Sequence, residues 1–120
     1  MNLAKKHLIP FFLALKETDG QLTLKEARIR DQMLKPLLEI TKTFEEDRTK
    51  IYQKYGELKD GQYHFKDEDT DTVNKEVQEL YAEEVELPHI KGIKEILEKT
   101  EYKPKFGEAE LIDEVIKSFE

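Results

Sequence analysis

The chain has no cysteine, no tryptophan, one serine, three arginines and only five glycines in 120 residues. Without cysteine there are no disulfides, no thiolate metal sites and no cysteine nucleophile, a composition that suits a reducing compartment. The single serine, Ser118, has no Gly-x-Ser-x-Gly turn around it. The glycines are scattered, so no Gly-rich phosphate loop exists. His7, His64 and His89 lie far apart and fall in no His-Glu-x-x-His pattern. Adjacent carboxylates such as Glu45-Glu46 and Glu83-Glu84 point apart on a helix and cannot share a proton. No basic run exceeds two residues and the net charge is -7. That balance repels phosphate backbones, so nucleic acid is not an expected partner. No apolar run reaches the length of a membrane span.

The first twenty residues share two features with a secretory signal: Lys5 and Lys6, then an apolar run from Leu8 to Leu15. Pro10 interrupts that run, and Lys16, Glu17 and Asp19 follow where a cleavage site would need small residues. A packed amphipathic helix is the expectation.

Residues 1–120 fit a single domain. The apolar content of 38% allows one modest core. Charged residues, at 39%, exceed the usual quarter or so. The modest net charge and eleven Phe and Tyr nonetheless favour folding over disorder.

Apolar spacing predicts a first helix from Leu8 to Thr18, carried by Leu8, Phe11, Phe12 and Leu15. Pro10 sits in its first turn, and Gly20 stops it. Thr23 and Glu26 form a capping box that opens a second helix over residues 24–56. Its stripe reads Ala27, Leu34, Leu37, Thr41, Phe44, Ile51 and Tyr55, broadened by Met33, Leu38 and Ile40 and indented at Arg48. Such a helix would be about 50 Å long, against a diameter of roughly 35 Å for a compact domain of this size. Either Pro36 kinks a continuous helix, the favoured reading, or the molecule is elongated and its overhang packs on a partner.

Asp60-Gly61 predicts a tight hairpin, with Tyr63 and Phe65 alternating on its second arm and only Leu58 apolar on its first. A third helix is expected from Thr70 to Glu84, buried through Val73, Val77, Leu80 and Tyr81. The "VEL" segment before Pro88 is extended. Ile90, Ile93, Ile96 and Leu97 suit a short helix or a strand, and "EYKPKFG" is a loop. A last helix over residues 108–119 buries Leu111, Ile112, Val115, Ile116 and Phe119. The fold class is therefore mainly α: an antiparallel helical bundle with one long helix and a small β-hairpin insertion.

Two clusters are candidates for function. Asp67, Glu68, Asp69 and Asp71 have the look of a cation loop. Counted from Asp67, however, position 6 is Thr72 in place of Gly and position 12 is Gln78 in place of Glu, so the turn and the bidentate ligand are missing. The better reading makes Asp69 the N-cap of the third helix and Asp71 part of its first turn. No metal or cofactor is expected. Tyr52, Tyr55, Tyr63 and Phe65 gather at the junction of helix and hairpin. They either close a small core or present a docking patch, where Tyr is favoured. With Leu34, Leu37, Phe44 and Ile51 they are the candidates for core or interface.

Residues 44–87, "FEEDRTKIYQKYGELKDGQYHFKDEDTDTVNKEVQELYAEEVEL", together with the opening "LAKKHLIPFFLAL", resemble a family of small proteins of unknown function encoded by bacteriophages and prophages of Gram-positive bacteria. Pro10 departs from that family's opening helix, and the resemblance fades after Pro88. It implies a helical protein acting in the bacterial host cytoplasm or in the phage particle, and it carries no catalytic residues. The expected function is a non-enzymatic protein–protein interaction module, a structural or assembly accessory that engages a virion or host protein through apolar helix faces and forms a homo-oligomer. The alternative is an acidic inhibitor of a host defence or nucleic-acid enzyme that mimics DNA. A metal-dependent enzyme built on Asp67, Asp69, Asp71 and His64 ranks third.

Overall fold

Thr23 and Glu26 start the longest helix by the reciprocal bonds their spacing predicts. In the computed structural model, which describes residues 1–119, the Glu26 amide donates to the Thr23 hydroxyl (3.2 Å) and the Thr23 amide to the Glu26 carboxylate (3.0 Å). In chain order the elements are strand β1 (Asn2–Ala4), a 3-10 turn (Lys5–His7), helix α1 (Leu8–Lys16), helix α2 (Leu24–Tyr55), strands β2 (Gly56–Lys59) and β3 (Gln62–Phe65), helix α3 (Asp67–Ala82), strand β4 (Glu84–Glu86), helix α4 (Ile93–Leu97) and helix α5 (Glu108–Ser118). The fold is mainly α with minor β, and the hairpin stands between α2 and α3 as expected. No helix among the described residues is long and apolar enough to cross a membrane.

Helix α2 is unbroken through Pro36. The proline leaves the Gln32 carbonyl without its helical donor, and Gln32 is exposed, so water can serve instead. At about 1.5 Å per residue its 32 residues match the molecule's long axis of 51 Å, beside short axes of 28 and 24 Å. The length is therefore met by an elongated molecule. Helix α3 returns antiparallel along α2: the Tyr81 ring meets Phe44 in a tilted contact (centroids 5.6 Å), and Lys54 reaches Glu76 (3.5 Å).

The core joins α1, the middle of α2 and the C-terminal third of the chain. Leu8, Phe11, Leu15, Met33, Leu37, Ile93, Ile96, Leu97 and Val115 are almost wholly buried in it. Strand β1 was not foreseen from sequence. It pairs antiparallel with β4, Leu3 opposite Val85. The clasp is extended by Met1, whose terminal amine donates to the Leu87 carbonyl and whose carbonyl accepts from the Leu87 amide (both 2.8 Å).

The hairpin turn has positive φ at both Asp60 (53°) and Gly61 (76°), the geometry that fits the right-handed twist of two paired strands.

Several local expectations need correction. Helix α1 stops at Lys16, and Thr18 lies beyond it, its hydroxyl bonded to the Leu15 carbonyl (2.7 Å). Gly20 sits in the following turn, not at the helix end. Helix α3 begins at Asp67 and ends at Ala82. Its N-cap is Lys66, which supplies no side-chain acceptor. Asp69 lies inside the first turn, its amide bonded to the Lys66 carbonyl (2.9 Å), and does not cap. Asp67, Glu68 and Asp69 instead place negative charge at the positive end of the helix dipole. Leu38, drawn into the buried stripe, is 54% exposed, at the edge of a trough that Phe12 of α1 covers only in part.

Thr41 is buried in α2, and its hydroxyl has no hydrogen-bond partner among the described residues. Replacing an unpartnered buried hydroxyl by a methyl of the same shape removes a desolvation penalty. Thr41→Val is expected to raise the unfolding free energy by about 1 kcal/mol, read from the midpoint of urea denaturation at unchanged slope.

Candidate functional site

The end of α2 projects past the main core. There the hairpin folds back so that its second strand lies over Tyr52. The Tyr52 ring meets Tyr63 at 5.7 Å and Phe65 at 5.8 Å between centroids, both tilted. Gly56 makes this fold-back fit: a Cβ there would stand 2.6 Å from the Phe65 ring. The opposite wall is α3, through Thr70, Val73, Asn74 and Val77. Between the walls lies an open groove of about 360 Å³, with Gln62 at its edge. Tyr52, Tyr63 and Phe65 remain half-exposed, whereas Val73 and Val77 are buried beneath them.

The sequence candidates thus separate. Tyr52, Tyr63 and Phe65 come together. Tyr55 does not join them; its ring packs under the Lys54 ammonium (4.9 Å) on the far side of the hairpin. Leu37 and Phe44 belong to the main core, and Ile51 is half-buried against it. Leu34 is also half-buried, in a shallow trough of about 350 Å³ with Phe12 and Leu38, rimmed by Lys16, Lys35 and Asp31. The α3 wall was legible only as a buried stripe. Nothing in the sequence showed that it would face the aromatic cluster.

The helix that forms this wall is strongly acidic, although Lys66 at its N-cap and Lys75 within it are exposed cations. From Asp67 to Glu86 there are nine acidic residues and one lysine, a net of -8, against -7 for the whole chain. Asp67, Glu68, Asp71, Glu79, Glu84 and Glu86 are exposed, and none is in an ion pair among the described residues. Asp67 and Asp71 are one turn apart, on the flank of the Thr70–Asn74 row. The same helical geometry turns Asp67, Asp69 and Asp71 about 200° apart at each step. Among the described residues no group of three His, Asp or Glu could hold a metal ion.

Three further arrangements escaped the sequence. His7 is buried between the Ala4 carbonyl, 3.1 Å from Nδ1, and the Glu114 carboxylate, 2.5 Å from Nε2. Both partners are acceptors, so both contacts are hydrogen bonds only when each ring nitrogen carries a proton. The bond from His7 holds the Glu114 carboxyl below its ordinary value. The second arrangement is a clamp at Glu108. One oxygen of its carboxylate accepts from the Tyr102 hydroxyl and from the Lys105 amide, each at 2.7 Å. Burial, then the Glu108 bond and charge, push the Tyr102 phenol up to about 12, and the bond from Tyr102 draws the Glu108 carboxyl down. The third is Phe106, inside that clamped loop and fully exposed.

No protein-family model, curated protein or solved structure matches the chain.

The Glu108 clamp makes two measurable statements. Absorbance titration should show one tyrosine ionising near 12, and Glu108→Gln should lower that value without restoring it fully, because burial persists. Glu108 and Glu114 have depressed folded values. Their stabilisation is complete above the ordinary carboxylate value of 4.5 and disappears as the pH falls through the folded ones. Combining Glu108→Gln with Glu114→Gln should flatten the fall in Tm between about pH 5 and 3.

Proposed function

We propose that this chain is a non-enzymatic protein–protein interaction module, a structural or assembly accessory in the phage setting that the resemblance implies. The observation that carries the reading is the open groove floored by Val73 and Val77, walled by Tyr52, Tyr63 and Phe65 and flanked by Asp67 and Asp71, which have no ion-pair partner among the described residues. A groove of this kind accepts one large apolar side chain, and aromatic walls give such anchors much of their binding energy. The carboxylates select an anchor flanked by basic residues and disfavour an acidic one. The module thus works by desolvating an apolar knob and setting register with charge.

A second reading, an acidic inhibitor that mimics DNA toward a host defence or nucleic-acid enzyme, is favoured by the net charge of -8 over Asp67–Glu86. The two readings divide on what binding depends upon. Mimicry would lose affinity steeply between about 50 and 200 mM salt, and filling the groove would not affect it.

Asn74 is exposed on the groove wall, so Asn74→Trp fills the groove without entering the core. Binding partners recovered from virions or host cells and then purified should bind the Asn74→Trp chain at least about 10-fold more weakly than wild type, at unchanged circular dichroism and Tm. Equal binding by the two chains would overturn the groove as the working surface. Equal binding with a steep salt dependence would select the mimic.

A further inference from the structure

We infer that the occupant of the groove is Phe106 of a second copy of this chain, so that copies associate head to tail. The inference rests on the reading of the groove as a docking surface and names the partner.

Phe106 stands apart from the other exposed apolar residues. Leu24, Leu38 and Leu58 keep part of their surface covered, at 54–68% exposure, whereas Phe106 has none covered. Its loop is nonetheless held at both ends. Upstream, the Glu101 amide donates to the Glu17 carbonyl (2.8 Å), and the Thr100 hydroxyl donates to the Ala14 carbonyl (2.5 Å). Downstream, the Glu108 carboxylate fastens Tyr102 and Lys105, and Gly107 turns the chain at φ +86° into α5. A ring presented on a braced loop surrenders little freedom on docking.

The surroundings of knob and groove are complementary. Lys103 and Lys105 precede Phe106 in the same loop, and neither is in an ion pair among the described residues, although Lys105 lies in the field of Glu108. Asp67 and Asp71 flank the groove, equally without a basic partner among the described residues. A phenyl ring fits a space of about 360 Å³ walled by three aromatic rings. The trough at Phe12, Leu34 and Leu38 is a poorer match, since Lys16 and Lys35 on its rim would meet the two lysines and the rim's one acid, Asp31, is already paired with Arg30 (3.1 Å).

One copy cannot fill its own groove. The loop is rooted at the first turn of α2, where Lys99 meets Glu26 (2.7 Å), and the groove begins at Tyr52. Those positions are roughly 39 Å apart along the helix. From Glu101, itself bonded to Glu17, the five steps along the chain to Phe106 reach at most about 17 Å. Knob and groove are different surfaces, so the contact is heterologous and repeats, giving an open chain or a closed ring.

Phe106 and Asn74 are both exposed, so Phe106→Ser and Asn74→Trp remove knob and groove separately without touching the core. Sedimentation velocity of the full chain should show mass rising with concentration for wild type. Each variant alone should associate at least about 10-fold more weakly. Mixed together, they should recover a species of two copies and no larger, because one retains the groove and the other the knob. A wild-type chain that stays monomeric to about 1 mM, association unchanged by Phe106→Ser, or a mixture that does not pair would each overturn the inference. If wild type is monomeric while Asn74→Trp still abolishes binding of a separate protein, the docking surface stands and only its occupant is wrong. If Asn74→Trp affects neither, the docking surface falls as well.

Discussion

Helix α2 is about as long as the molecule, and most of the structure follows from how its 32 residues find cover. A helix needs tertiary packing along an apolar face to be stable in water. The chain has enough other material to cover the first two thirds properly. There α1 and the C-terminal segments close over Met33, Leu37 and Phe44. Beyond that point only the hairpin and the start of α3 remain. They cover the last turns thinly, with half-exposed rings in place of a sealed core. Arg48 marks the transition. Its guanidinium lies 5.5 Å from the centre of the Phe44 ring and donates to the Tyr81 hydroxyl (3.3 Å). A charged side chain with a long apolar stem can hold such a border, since it packs along the rings while its head reaches water.

The covered end is tied together by contacts between the two extremes of the sequence. Strand β1 pairs with β4, Lys5 meets Glu83 (2.6 Å), and His7 meets Glu114. Each closes a loop of roughly 80 residues or more, whose entropic cost grows only slowly with length. The uncovered end carries no such tie. Local opening concentrates where buried apolar contacts are few, so the groove belongs to the part of the fold best able to adjust to a partner.

What the sequence disclosed divides along the same line. The capping bonds of Thr23 and Glu26 and the turn at Asp60-Gly61 are set by neighbours within a few residues, and both formed as expected. The buried stripes of α2, α3 and α5 were also readable, because a helix imposes its own period on them. Strand β1 was not readable. Three residues carry too little pattern, and their partners lie some eighty positions away. The start of α3 was misplaced because the capping rule favoured Asp69, whereas the chain uses a cluster of acids in the first turn and no side-chain cap at all. Leu38 was assigned to the core because periodicity reports which side of a helix is apolar, not whether any element arrives to cover it. The aromatic residues were found as a group, but the valine floor beneath them depended on the path of α3.

The cause of the Leu38 misassignment also bears on function. Periodicity treats every apolar position as core, so a surface that is apolar and left open is read as one more buried stripe. Tyr52 shows the ambiguity directly: it continues the inner face of α2, yet its ring is capped only by two others that are half-exposed themselves. A chain under selection for stability alone would close that gap with larger side chains at Thr70 or Asn74, both of which are small, polar and exposed. Their presence on the wall keeps the groove open, while Gly56 keeps the Phe65 ring seated against Tyr52. Shape is thus maintained from both sides of a space that contributes little to the core. The acids of α3 act in the same direction: Glu76 is met by Lys54, but Asp67 and Asp71 have no ion-pair partner among the described residues and raise the repulsion within that end of the molecule. Openness and unpaired charge at one place would both be relieved by a single event, the docking of the basic, apolar partner proposed above.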